Sequence, residues 1–148
     1  MKSKVFIYTD GSADNRRKVG GWGAILIYGT VTKEIHGTVK ETTSNRMELT
    51  APIKALKKMK KFDVPIVIHS DSQYVIRGMN EWIERWQRNN WISSTRKEVV
   101  NKDLWIKLLK ISKKFTSIEW VWVRGHAGDE YQEVAHTLAE KGYRKHNC

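Results

Sequence analysis

The sequence predicts an α/β protein whose mixed five-stranded sheet carries helices on both faces. Three observations lead there. Three stretches rich in apolar and β-branched residues follow one another within the first 40 residues, separated only by short turns. Two later apolar runs, 64–70 and 118–123, are each reached through helix-patterned sequence. Strands joined by tight turns pair antiparallel, whereas strands reached through helices pair parallel. Sites in such sheets form at the carboxyl ends of strands.

The first strand is expected at 4–13, around Val5-Phe6-Ile7-Tyr8. A loop follows, Asp14-Asn15-Arg16-Arg17-Lys18, with three consecutive cations. The second strand is expected at 20–28, its glycines marking the start. Gly29-Thr30 suits a hairpin turn into a third, edge strand at 32–40. Segment 43–61 reads as a helix, because Leu49, Ile53, Leu56 and Lys60 share one stripe. Pro52 inside it should bend the helix or limit its first turns. The run 64–70 is continuously apolar, as in a strand buried on both faces. Helical patterns follow at about 72–79, 81–89 and 101–113, then the strand Ile118-Glu119-Trp120-Val121-Trp122-Val123 and a helix at about 128–143.

The length of 148 residues suits one domain with a full core, and a hydrophobic content of 40% suits a globular chain. A net charge of +11 favours a polyanionic partner, most often nucleic acid. The single cysteine, Cys148, leaves no intramolecular disulfide, which suits a reducing compartment. The first apolar run is too short for a secretory signal, and no run approaches a membrane span. The expectation is a cytoplasmic protein with no membrane partner.

Three acids fall on separate elements. Asp10 ends the first apolar run, Glu48 opens the helix at Asn45-Arg46-Met47-Glu48-Leu49, and Asp71 ends Ile66-Val67-Ile68-His69-Ser70. Each has a purely structural alternative: a turn aspartate, an acid in a first helical turn, and a cap of the next helix. Together they suit divalent metal and phosphodiester chemistry. Mg²⁺ takes oxygen ligands and few carboxylates, and a two-metal site needs at least one bridging carboxylate.

Five segments carry a resemblance over residues 4–143: Tyr8-Thr9-Asp10-Gly11-Ser12, Gly20-Gly21-Trp22-Gly23-Ala24-Ile25-Leu26, Thr43-Ser44-Asn45-Arg46-Met47-Glu48-Leu49, His69-Ser70-Asp71-Ser72-Gln73-Tyr74-Val75 and Trp120-Val121-Trp122-Val123-Arg124-Gly125-His126-Ala127-Gly128. In this order they resemble the type 1 ribonuclease H family of bacteria. The resemblance implies a single ribonuclease H domain over 1–148 with the ribonuclease H-like fold. It implies an endonuclease that cuts the RNA strand of RNA–DNA hybrids and leaves 5′-phosphate and 3′-hydroxyl ends. The cofactor would be two Mg²⁺ ions, with Mn²⁺ as the alternative. Asp10 would bridge both ions, while Glu48 and Asp71 would complete the site on the leaving-group side. Glu48 would also touch a ribose 2′-hydroxyl, and His126 would assist proton movement or product departure.

One position departs from the family. Its last motif reads Asn-Glu-x-x-Asp-x-Leu-Ala, and this chain has Gln132-Glu133-Val134-Ala135-His136-Thr137-Leu138-Ala139. His136 stands where the fourth metal-binding aspartate is expected. A neutral imidazole offers one nitrogen and should hold Mg²⁺ more weakly than Mn²⁺. A protonated one would place a fixed positive charge among the acids. Removing one of four crowded carboxylates would also stabilise the metal-free fold. The chain is then an enzyme with altered metal preference, or a catalytically weak variant that still binds hybrid, or an enzyme that recruits Glu130 or Glu133 instead.

The stretch 77–102 mixes cations and aromatics, including Arg77, Trp82, Arg85, Trp86, Arg88, Trp91 and Lys97. It resembles the basic protrusion, or handle, of the bacterial enzymes, here at about 80–100, which cradles the DNA strand. Trp82 and Trp86 lie four apart on one helix face, where packing is the competing role. By the same resemblance Thr43, Asn45, Gln73 and Asn101 would contact the hybrid, and Arg77, Trp82, Arg85, Arg88 and Lys97 would join them. A monomer is expected.

Overall fold

The computed structural model describes residues 4–14, 16–124 and 129–144, the side chains of 142–144 excepted. His126 lies outside the described residues. The strands are β1 (Val5–Asp14), β2 (Val19–Tyr28), β3 (Val31–Lys40), β4 (Ile66–Ser70) and β5 (Ile118–Trp122). The helices are α1 (Ser44–Lys57), α2 (Gln73–Arg77), α3 (Ile83–Arg88), α4 (Lys102–Ser112) and α5 (Glu130–Arg144). A π-helical turn, Gly78–Trp82, joins α2 to α3.

The strands form one sheet in the order β3-β2-β1-β4-β5. β1 pairs antiparallel with β2, as does β2 with β3, while β1–β4 and β4–β5 are parallel. Gly29 supplies the positive φ of the β2–β3 turn, at 61°. Helices cover both faces. An added side chain at Gly11 would strike Met47 and Glu48 of α1, whereas its neighbour Asp10 faces His136 of α5. Adjacent strand residues point to opposite faces, so α1 and α5 sandwich β1. The main core lies between the sheet and α1, α2 and α4, with Ile7, Leu49, Ile68, Val75, Trp105 and Leu108 fully buried. Each such side chain contributes about 1.5–3 kcal/mol on removal from water.

Two boundaries and the effect of Pro52 differ from the sequence reading. α1 ends at Lys57, because the amides of Lys58 and Met59 close on the carbonyls of Ala55 and Leu56 in the tighter 3₁₀ pattern. β4 starts at Ile66 because Pro65 has no N–H for a ladder; its carbonyl accepts from Val5 N instead, at 2.9 Å. α1 also runs unbroken through the buried Pro52, which removes only the amide that would reach the Glu48 carbonyl. Among the described residues no helix is long and apolar enough to cross a membrane.

Candidate active site

Sheet register brings the first two acids together. Thr9 pairs with Ser70 at the last rung of the parallel β1–β4 ladder, so Asp10, midway along β1 rather than at its end, stands beside Asp71, which follows the end of β4. The third acid arrives from α1. Gly11 has no side chain, which lets β1 pass against the backbone of Met47 and Glu48. Asp10, Glu48 and Asp71 thereby present carboxylate oxygens all within 4.8 Å of one another. The structural roles open to Glu48 and Asp71 fall to neighbours. Thr43 caps α1 by accepting from Arg46 N at 3.3 Å, and Ser72 caps α2 by accepting from Val75 N at 3.2 Å.

Electrostatics at this cluster are unfavourable without a cation. Burial, then the charges of Asp10 and Asp71, push the Glu48 carboxyl well above the usual range. Glu48 Oε1 is buried and makes no hydrogen bond among the described residues. Three converging carboxylates with an unsatisfied oxygen are the donor set that a hard divalent ion takes. The residues present therefore fit such an ion.

His136 stands beside Asp10. Its Nδ1 lies 2.8 Å from Asp10 Oδ2, and its Nε2 pairs with Glu140 Oε1 one helical turn on. Burial alone would lower the imidazole pKa. The hydrogen bond and charge of Asp10, with those of Glu140, outweigh it and raise the value. Gln132, fully buried, donates from Nε2 to the Thr9 carbonyl at 2.9 Å and ties α5 to β1 next to Asp10. Glu130 and Glu133 stand elsewhere, lining a hollow with Glu34, Val134 and Lys141 on the β3 side of α5.

The other sequence-selected residues surround this cluster. Thr43, Asn45 and Gln73 are exposed at the starts of α1 and α2. Asn101 is half-buried with a φ of 61°; it accepts from Arg46 Nη1 at 3.2 Å and donates to Tyr74 Oη at 3.2 Å. Arg46 also forms a two-pronged pair with Asp103 at 2.7 and 3.0 Å, joining α1 to α4. Arg85, Arg88 and Lys97 are exposed. Arg77 pairs with Glu81 and stacks 5.2 Å from the Trp82 ring. Trp82, Trp86, Trp91 and Trp105 form a chain of ring contacts, from 5.2 to 6.2 Å between centroids. The apolar pocket of about 290 Å³ beside Val5 and Tyr28 lies at the other end of β1, and no carboxylate lines it.

Sequence reasoning did not single out Glu140, Gln132 as a tether, or the Arg46–Asp103 link. For Glu140 a signal existed, because it follows His136 by four residues and shares its helix face.

A family model described as RNase H matches residues 2–144 of the chain. The chain belongs to the ribonuclease H family. It is 46% identical over 140 residues to the ribonuclease H of Francisella tularensis subsp. novicida, covering 95% of this chain and 91% of that one. The ribonuclease H of Francisella philomiragia matches at the same identity and coverage. Among solved structures, LC9-RNase H1, described as a type 1 RNase H with the type 2 active-site motif, superimposes with a TM-score of 0.84 at 28% identity. That match covers 95% of this chain and 72% of the other. The foamy viral protease-reverse transcriptase, solved with an RNA/DNA hybrid, shares the fold at a TM-score of 0.82 and 21% identity. It covers 97% of this chain and 20% of the viral one.

Proposed function

We infer that this chain hydrolyses the RNA strand of RNA–DNA hybrids by a two-metal mechanism, using Asp10, Glu48 and Asp71. The convergence of their carboxylates within 4.8 Å carries the reading. Bound divalent ions would supply the charge that activates the attacking water and stabilises the leaving oxygen. Asp10, on the central strand, would serve both ions. Glu48 and Asp71 would complete the donor set, and Glu48 would also contact a ribose 2′-hydroxyl. His126 would move protons or help products leave. His136 would hold the ion from the fourth side, and its nitrogen would favour Mn²⁺ over Mg²⁺.

The exposed Thr43, Asn45 and Gln73, with Asn101 nearby, would seat the hybrid. Arg85, Arg88 and Lys97 on the protrusion at about 80–100, with Arg77 just before it, would hold the DNA strand by phosphate contacts, and Trp82 would support them by packing. The ribonuclease H domain would act as a cytoplasmic monomer.

His136 favours a second reading, in which the same fold binds hybrid and cleaves poorly. A labelled hybrid incubated with the chain and with His136→Asp, each in Mg²⁺ and in Mn²⁺, separates the two. Cleavage by the unaltered chain, stronger in Mn²⁺ and abolished by Asp10→Asn, is expected. Silence in both metals with tight hybrid binding, reversed by His136→Asp, would establish the binder instead.

A further inference from the structure

We propose that Glu140 is a positioning residue of the metal site, holding the His136 imidazole so that Nδ1 becomes the fourth donor beside Asp10. The inference rests on Asp10, Glu48 and Asp71 forming a divalent-metal site.

Two observations carry it. Both ring nitrogens of His136 are engaged, Nδ1 with Asp10 Oδ2 at 2.8 Å and Nε2 with Glu140 Oε1. A ring flip would break both contacts. An imidazole that ligates metal through one nitrogen generally donates its other N–H to a carboxylate, which sets the tautomer and the ring plane. Glu140 occupies that outer place, one turn further along α5, with its side chain only 20% exposed. The second observation is the spacing. Neighbouring donors on an octahedral ion with bonds of about 2.1 Å stand about 3 Å apart. The 2.8 Å between His136 Nδ1 and Asp10 Oδ2 allows both atoms to face one ion with little adjustment. The missing aspartate would then be replaced by two residues acting together: a nitrogen donor and the carboxylate that aims it. Histidine alone at this corner could rotate; clamped by Glu140 it cannot.

The test is a cycle of four proteins: the unaltered chain, Glu140→Ala, His136→Asp and the double variant. Mn²⁺ affinity is measured by calorimetry, and circular dichroism checks the fold. Glu140→Ala is expected to weaken Mn²⁺ binding about 10- to 100-fold while His136 is present. In the His136→Asp background the same change is expected to alter affinity by less than about 2-fold, as independent sites do. The conservative Glu140→Gln, which keeps an acceptor oxygen, should recover part of the loss. In ¹⁵N spectra of the unaltered chain, Mg²⁺ should move the His136 Nδ1 resonance and leave Nε2 protonated.

Equal losses in both backgrounds would mean that Glu140 acts only as a distant charge, and would overturn the inference. An unmoved Nδ1 resonance at saturating metal would do the same. Mn²⁺ binding that ignores Glu140 sinks this inference alone; no Mn²⁺ binding in any of the four proteins removes the metal-site reading beneath it.

Discussion

Glu48 and His136 hold their protons more tightly in the fold than in the unfolded chain, Glu48 through burial and its acidic neighbours, His136 through Asp10 and Glu140. For a raised pKa, the stability contributed is fully present below the unfolded value and is lost as pH rises through the folded one. Metal-free protein should therefore lose stability as pH rises above the ordinary glutamate value, about 4.3, and further as it rises above the ordinary histidine value, about 6.5. Thermal unfolding in chelator across that range, repeated with Mg²⁺, checks this. Added metal should restore more at the high end, where the carboxylates are bare. Glu48→Gln removes the Glu48 part of the slope. It should stabilise the metal-free chain by about 0.5–2 kcal/mol and lower hybrid cleavage by roughly 10³-fold or more. His136→Asp replaces a favourable pair with Asp10 by a repulsive one. With solvent screening at the partly exposed ring, the expected loss is about 1 kcal/mol, or roughly 3 °C in Tm, in chelator. His136 was legible in the sequence, at a place where the resemblance implied an aspartate. Its clamp by two carboxylates was not, since Asp10 lies 126 residues away.

Among elements, α5 decides where His136 stands. It packs across β2 because Gly23 leaves room; an added side chain there would lie 2.5 Å from Leu138 Cβ and 2.7 Å from the Ala135 carbonyl. Gly23 pairs with Asp10 across the β1–β2 ladder, so the contact that seats the helix lies directly beside the acid that His136 faces. Gly23→Ala should push α5 outward, costing about 1–3 kcal/mol in urea unfolding and loosening the His136–Asp10 contact in NMR spectra. The run of glycines at 20–23 announces a strand under close approach, but periodicity does not name the helix that approaches. The same limit applies to α1, whose length was overread by one turn because its lysines continue the apparent stripe after the backbone has turned away.

Across the whole molecule the charge of +11 and the protrusion act together. The tryptophans pack on one another and on Tyr74, which makes the protrusion a scaffold and leaves Arg85, Arg88 and Lys97 at its surface. Replacing all three by alanine should weaken hybrid binding more at low salt than at high salt. The slope of log affinity against log salt should shrink by up to about 3, while cleavage at saturating hybrid changes little. Fluorescence anisotropy over a salt series reads the slope. An unchanged slope would place the phosphate contacts elsewhere.

By itself the sequence determined the element order, the mixed sheet, the three acids and the departure at His136. These follow from local periodicity, from turn chemistry and from residue types within short segments. Only the tertiary structure decided that the Thr9–Ser70 register sets Asp10 beside Asp71, that Gly11 admits Glu48, and that Glu140 and Asp10 grip His136 from both sides. Apart from Glu140, one turn along the same helix, each of those is a contact between elements far apart in the chain. Such contacts depend on strand register and helix seating, which one-dimensional patterns do not encode.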